Sequence, residues 1–146
     1  MKYGILTIVK IPNIGAVLQG YALCMKMRSL GIECEIIDYE CVNINQREKA
    51  YHALKNPIKN VAKKMFVWPA TRRRILDCEN FASELYSTTR YNKKNINEAN
   101  ARYDGFVSGS DMIWNLNVTG HDYTFFLDFV DDAKNKFSYA SSIGEQ

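Results

Sequence analysis

The apolar positions of the chain fall into short uninterrupted runs separated by polar turns. Tyr3 to Val9 (YGILTIV) is the first run. Its length and β-branched content predict a strand buried on both faces. Pro12, Asn13 and Gly15 follow as a turn cluster. From Ala16 to Leu30 the pattern changes period. Val17, Tyr21, Cys24 and Met27 recur at helical spacing, and Leu18, Leu23 and Leu30 widen the stripe. Gly31 suits the left-handed residue that ends a helix. Glu33 to Tyr39 (ECEIIDY) reads as the next strand. Strand, helix and strand in this order predict a parallel sheet with a right-handed crossover.

The middle of the chain reads differently. Asn43 to Arg90 has no strand pattern. Arg72 to Tyr86 reads as a helix with Ile75, Leu76, Phe81 and Leu85 on its apolar side, and Asn95 to Ala101 as a shorter one. Residues from about 43 to 101 are therefore expected to form a helical insertion laid over the sheet. Strand pattern returns at Tyr103 to Ser108, breaks at Gly109-Ser110-Asp111, and gives way to Ile113 and Trp114. Phe125 to Val130 (FFLDFV) is a short apolar segment, and Lys136 to Ile143 is expected to be a last, buried strand. A doubly wound domain would next place a helix over that strand. The chain is thus expected to be a single, incomplete domain over residues 1–146. An uncovered sheet edge of this kind favours a homo-oligomer.

Composition narrows the class. A length of 146 residues fits one domain, and 47% hydrophobic content supports a packed core rather than disorder. A net charge of +3 is too small to argue for nucleic acid as a partner. The charge is unevenly spread, however. Lys55 to Arg74 holds seven basic residues and no acid. Lys55, Lys59 and Lys63 share one helical face near Met65, Phe66 and Trp68, which fits a solvated face or peripheral contact with an anionic membrane. The four cysteines include no C-x-x-C pair and the two histidines stand apart, so there is no zinc spacing and no metal is expected. Free thiols point to a reducing cytoplasm. No run approaches the ~18 apolar residues of a spanning helix.

Candidate chemistry lies in three turns, each following a predicted strand. If the strands are parallel neighbours, these turns share one edge of the sheet, where open α/β folds bind ligands. The first turn carries Asn13 and Gly15 at a helix start, with Gln19 one turn further in. Such a start attracts anions, or is simply a capped helix, and it matches neither G-x-G-x-x-G nor a P-loop. The second carries Gly109, Ser110 and Asp111, with Trp114 and Asn115 beyond. Asp111 can hold sugar hydroxyls, act as a base or cap a turn, and Trp114 can stack on a sugar or close the core. The third places Ser141, Ser142 and Gly144 at a strand end. Without the G-x-S-x-G elbow, its hydroxyls suit ligand hydrogen bonds better than nucleophilic attack. Asp111 and His121 are the candidate catalytic groups, His121 being a loop histidine that either exchanges protons or is solvated.

Taken in order, these segments resemble the polysaccharide pyruvyl transferase family. The resemblance is carried by NIGAVLQGYAL (Asn13 to Leu23), YDGFVSGSDMIWN (Tyr103 to Asn115), FFLDFV and YASSIG, together with the strands KYGILTI and ECEIIDY. It covers most of the chain apart from the basic middle. Ile14 stands where the family pattern has Tyr, and Met112 where it has Gln. The resemblance implies a Rossmann-like parallel sheet with flanking helices, similar to the N-terminal domain of a GT-B glycosyltransferase. It also implies transfer of a pyruvyl group from phosphoenolpyruvate, the donor substrate, to a sugar of a surface polysaccharide, with no other cofactor.

On that resemblance the chain is the N-terminal, acceptor-side part of the enzyme, inactive by itself, and the C-terminal donor-binding domain is absent. Asn13, Gly15, Gln19, Gly109, Ser110, Asp111, Trp114, Asn115, Ser141, Ser142 and Gly144 would meet substrate. The implied location is the cytoplasm, at the inner face of the membrane. The alternatives are a nucleotide-sugar-dependent glycosyltransferase of the same GT-B scaffold and a non-catalytic binding or oligomerisation module.

Overall fold

A computed structural model describes residues 1–8, 13–46, 69, 73, 76, 77, 80, 81 and 83–144. Its centre is a five-stranded sheet in the order β3-β2-β1-β4-β5. The strands are β1 (Lys2–Leu6), β2 (Glu33–Glu40), β3 (Tyr86–Asn92), β4 (Gly105–Ser108) and β5 (Asn135–Ser138). Every pairing is parallel. The strand order reverses beside β1, which pairs with β2 on one side and β4 on the other.

Helix α1 (Ile14–Ser29) covers one face of the sheet. Asn13 caps it, its side-chain oxygen accepting from the Gly15 and Ala16 amides at 3.0 and 3.4 Å. Lys26 and Arg28 sit in the last turn, where cations complement the helix dipole, and Gly31 beyond it has φ of 78°. Val17, Gly20 and Cys24 are buried. On this face Ile5, Cys34, Ile36, Val107 and Leu85 pack with Cys24. Leu18 and Leu30, expected to widen the apolar stripe, are exposed. The opposite face is covered by irregular segments and 3-10 turns. There Leu6, Ile37, Tyr103, Phe106, Ile113 and Phe125 share one core. This core includes Ile96 and Ala99 of the 3-10 turn Ile96–Ala101, where a short helix was expected.

One polar cluster ties the amino end of the sheet. Glu35 accepts from the Tyr103 hydroxyl at 2.6 Å and pairs with Lys2 at 3.0 Å and Arg102 at 3.1 Å. Burial alone would raise the Glu35 carboxyl, but the Tyr103 and Lys2 hydrogen bonds, with the Lys2 and Arg102 charges, hold it below the usual carboxylate range. Cys24 and Cys34 lie with sulfurs 3.7 Å apart and, like Cys41, are free thiols. Burial and the neighbouring Cys34 push the Cys24 thiol up to about 12, so it is inert as a nucleophile.

Two expectations need correction. The stretch without strand pattern contains β3, which extends the sheet beside β2. Tyr86 opens that strand rather than closing a helix. Its sequence, YSTTRYN, buries only Ser87 and Tyr91, so it carries almost no apolar signal. Ser87 is accommodated by hydrogen bonds, accepting from the Asp38 amide at 2.9 Å and donating to the Thr89 carbonyl at 2.7 Å. The last strand is the second correction. β5 ends at Ser138, and all four of its residues are exposed. It is an edge strand, not a buried one. Tyr3, Val107 and Phe137 instead line an open apolar groove on the α1 side.

Most of the basic segment Lys55 to Arg74, and with it the expected membrane-facing lysines, lies outside the described residues. Arg73 is exposed and pairs with Asp77 at 4.0 Å. Among the described residues no helix is long and apolar enough to cross a membrane.

Candidate functional site

The parallel order β1-β4-β5 brings the three expected turns to one edge of the sheet. The turn after β4 is held against α1 from one side. Gln19 of α1 accepts from the Ser110 hydroxyl at 3.4 Å and from the Asp111 amide at 3.3 Å. The segment after β5 holds it from the other side. The Ser142 hydroxyl donates to the Asp111 carboxylate at 2.5 Å and accepts from the Met112 amide at 3.1 Å. The Ser142 carbonyl accepts from the Trp114 amide at 3.1 Å, and the Asn115 side chain donates to the Ile143 carbonyl at 2.8 Å. Ser141 bonds one step lower, donating to the Ser108 carbonyl at 3.1 Å.

Backbone geometry makes the approach possible. Gly109 has no room for a side chain: a Cβ there would lie 2.9 Å from the Tyr139 carbonyl oxygen and 3.0 Å from Leu23. Met112 and Ala140 adopt φ of 58° and 51°, in the left-handed region that non-glycine residues seldom enter. Such strain gathers at sites where the surrounding structure over-determines the backbone.

The individual side chains divide clearly. Asp111 is exposed, and of the described residues joined at these turns it alone is charged. Asn115 is buried and caps helix α2 (Leu116–Thr119), accepting from the Asn117 and Val118 amides. Trp114 is half-buried. Its ring stacks on Phe126 with centroids 5.6 Å apart, and its indole N–H donates to the Phe125 carbonyl at 3.2 Å. Asn13 and Gly15 stand at the exposed start of α1, and Gly144 has φ of 71° beside Met112. His121 is not part of this network. It sits exposed, with φ of 58°, in the turn that follows α2.

Two features of the same edge carried no signal in the sequence. Thr7 follows β1, is 3% exposed, and its hydroxyl has no hydrogen-bond partner among the described residues. The second is a cavity at the ends of β2 and β3, lined in part by Asn43, Gln46, Lys93 and Lys94. Its walls come from segments far apart in the chain. Among the described residues no group of His, Cys, Asp and Glu is placed to hold a metal.

Fold and site together define a parallel α/β protein of Rossmann-like type, with a polar site where the strand order reverses. Residues 13–146 match the family described as polysaccharide pyruvyl transferase, and the chain belongs to that family. No curated protein and no solved structure matches it.

Proposed function

We propose that this chain serves a pyruvyl transferase of the GT-B type, transferring the enolpyruvyl carbons of phosphoenolpyruvate onto a sugar of a surface polysaccharide at the cytoplasmic face of the membrane. The family match over residues 13–146 carries this reading. The reaction balances as a ketal formation. Two sugar hydroxyl oxygens bond to C2 of the donor, the C2–O bond to phosphate breaks, C3 takes one proton, and phosphate leaves with the other.

The wall formed by Gln19, Ser110, Asp111 and Ser142 is the acceptor side of that reaction. A carboxylate bridged to a hydroxyl suits a sugar diol, and in this reading Asp111 takes the proton of a hydroxyl that attacks. Phosphoenolpyruvate carries a phosphate and a carboxylate, whereas the charge on this wall is negative. The donor anion therefore requires cations from outside this wall.

Acid-labile pyruvate in the surface polysaccharide tests the reading. Cells lacking the gene should lose it, and unchanged content would refute the assignment. Dependence of product formation on a nucleotide-sugar instead of phosphoenolpyruvate would indicate a glycosyltransferase.

A further inference from the structure

A second cavity opens at the carboxyl ends of β2 and β3, on the other side of β1 from the turns of β4 and β5. Its volume is about 580 Å³, within the range of small-molecule sites, which run from about 300 to 1,000 Å³. Three separate segments wall it: the end of β2 and residues 42–46, the turn after β3, and the turn after α2.

Each wall is fixed by its own bonds. The Asn43 side chain donates to the Val118 carbonyl at 2.9 Å, and the Cys41 thiol donates to the Thr119 carbonyl at 3.4 Å. Gly120 lets these two walls close. It has φ of 70°, and a Cβ on it would lie 2.5 Å from Asn43. In the turn after β3, Asn92 accepts from the Lys94 amide at 2.8 Å, and the Asn92 amide donates to Asn95 at 2.7 Å. The backbone bearing Lys93 and Lys94 is thereby held in place.

The charges are divided in an informative way. The acids of the cavity are already engaged. Glu40 pairs with Arg90 at 3.2 Å and accepts from Asn45, while Asp122 accepts from the Tyr39 hydroxyl at 2.6 Å and from the Thr124 amide at 3.2 Å. Lys93 and Lys94 are exposed, and neither forms an ion pair among the described residues. Lys93 and Lys94 line the same cavity as Asn43 and Gln46, so it combines anion attraction with side-chain amides, of which Asn43 keeps its oxygen and second N–H beyond the bond to Val118, for hydroxyl recognition.

We propose that this cavity binds a sugar phosphate, its phosphate on Lys93 and Lys94 and its hydroxyls on the amides of Asn43 and Gln46. The cavity is separate from the Asp111 wall, and binding is read without any transfer step, so this inference and the proposed reaction can fail independently.

Titrating glucose 1-phosphate into the 15N-labelled 146-residue chain tests it. Amide shifts should gather at residues 40–46, 92–94 and 118–122. The K93A/K94A double variant should weaken binding at least tenfold while its spectrum stays that of the folded chain, since both side chains are exposed. Gln46→Ala, also exposed, should weaken glucose 1-phosphate and leave inorganic phosphate unaffected. Three results would each overturn the proposal: shifts that map to residues 108–115, a double variant that binds within twofold of the original, or inorganic phosphate binding as tightly as glucose 1-phosphate.

Discussion

The Ser142 hydroxyl meets the Asp111 carboxylate at 2.5 Å, joining turns that belong to two different strands and lie 31 residues apart in sequence. The same Ser142 oxygen accepts from the Met112 amide, whose residue is held at a left-handed φ. Ser142→Ala should therefore release both the carboxylate and the strained backbone. The bonds are exposed, so the expected loss is modest, about 1 kcal/mol of unfolding free energy in urea. A midpoint unchanged from the original chain would show that the contact contributes nothing.

Gly109 should tolerate no side chain. Gly109→Ala drives a methyl into the Tyr139 carbonyl and Leu23, and backbone on one side cannot give way as a flexible side chain can. A destabilisation of about 1–3 kcal/mol is expected from such overpacking, read as a lowered melting temperature. Because Gly109 precedes Ser110, the Gln19 contacts should loosen with it, visible as shifted amide resonances at Ser110 and Asp111.

Thr7 gives the opposite expectation. Its buried hydroxyl lacks a partner among the described residues, so the fold bears the desolvation cost without a compensating bond from them. Thr7→Val keeps the shape and removes that cost. Stability should rise by about 1 kcal/mol in urea unfolding. A loss of stability would mean that the hydroxyl is satisfied in solution.

Glu35 sets an acid limit. Its folded pKa lies below its ordinary value of 4.5, so the unfolded chain binds more protons in that window. The contribution is present above about 4.5 and is lost as pH falls through the folded value. Glu35→Gln should cost about 2 kcal/mol near neutrality, where Lys2 and Arg102 lose their partner. Below pH 4.5 the variant's urea midpoint should fall less steeply than that of the original chain. Parallel curves would remove Glu35 from the account.

The contrast between β1 and β3 shows what the sequence made legible. β1 is central, its Gly4, Ile5 and Leu6 are all buried, and a continuous apolar run is what such a strand requires. Helix α1 and the Asp111 turn were equally readable, because a cap, a periodic stripe and a Gly-Ser-Asp break are local signals. β3 joins the sheet mainly through backbone pairing, with a buried serine satisfied by Asp38 and Thr89, so its apolar pattern is faint. β5 shows the same limit from the other side: Phe137 reads as core but is 52% exposed on an edge strand. The second cavity was beyond reach for a different reason. Asn43, Lys93 and Gly120 become neighbours of one space only once the strand order is known.

The central claim is that Asp111 faces the acceptor of a pyruvyl transfer. The measurement that reaches it most directly is acid-labile pyruvate in surface polysaccharide from gene-deleted cells carrying either the intact gene or its Asp111→Asn variant. At equal protein levels the intact gene should restore the ketal, and the variant should leave it at least tenfold lower. Full restoration by Asp111→Asn would contradict the claim.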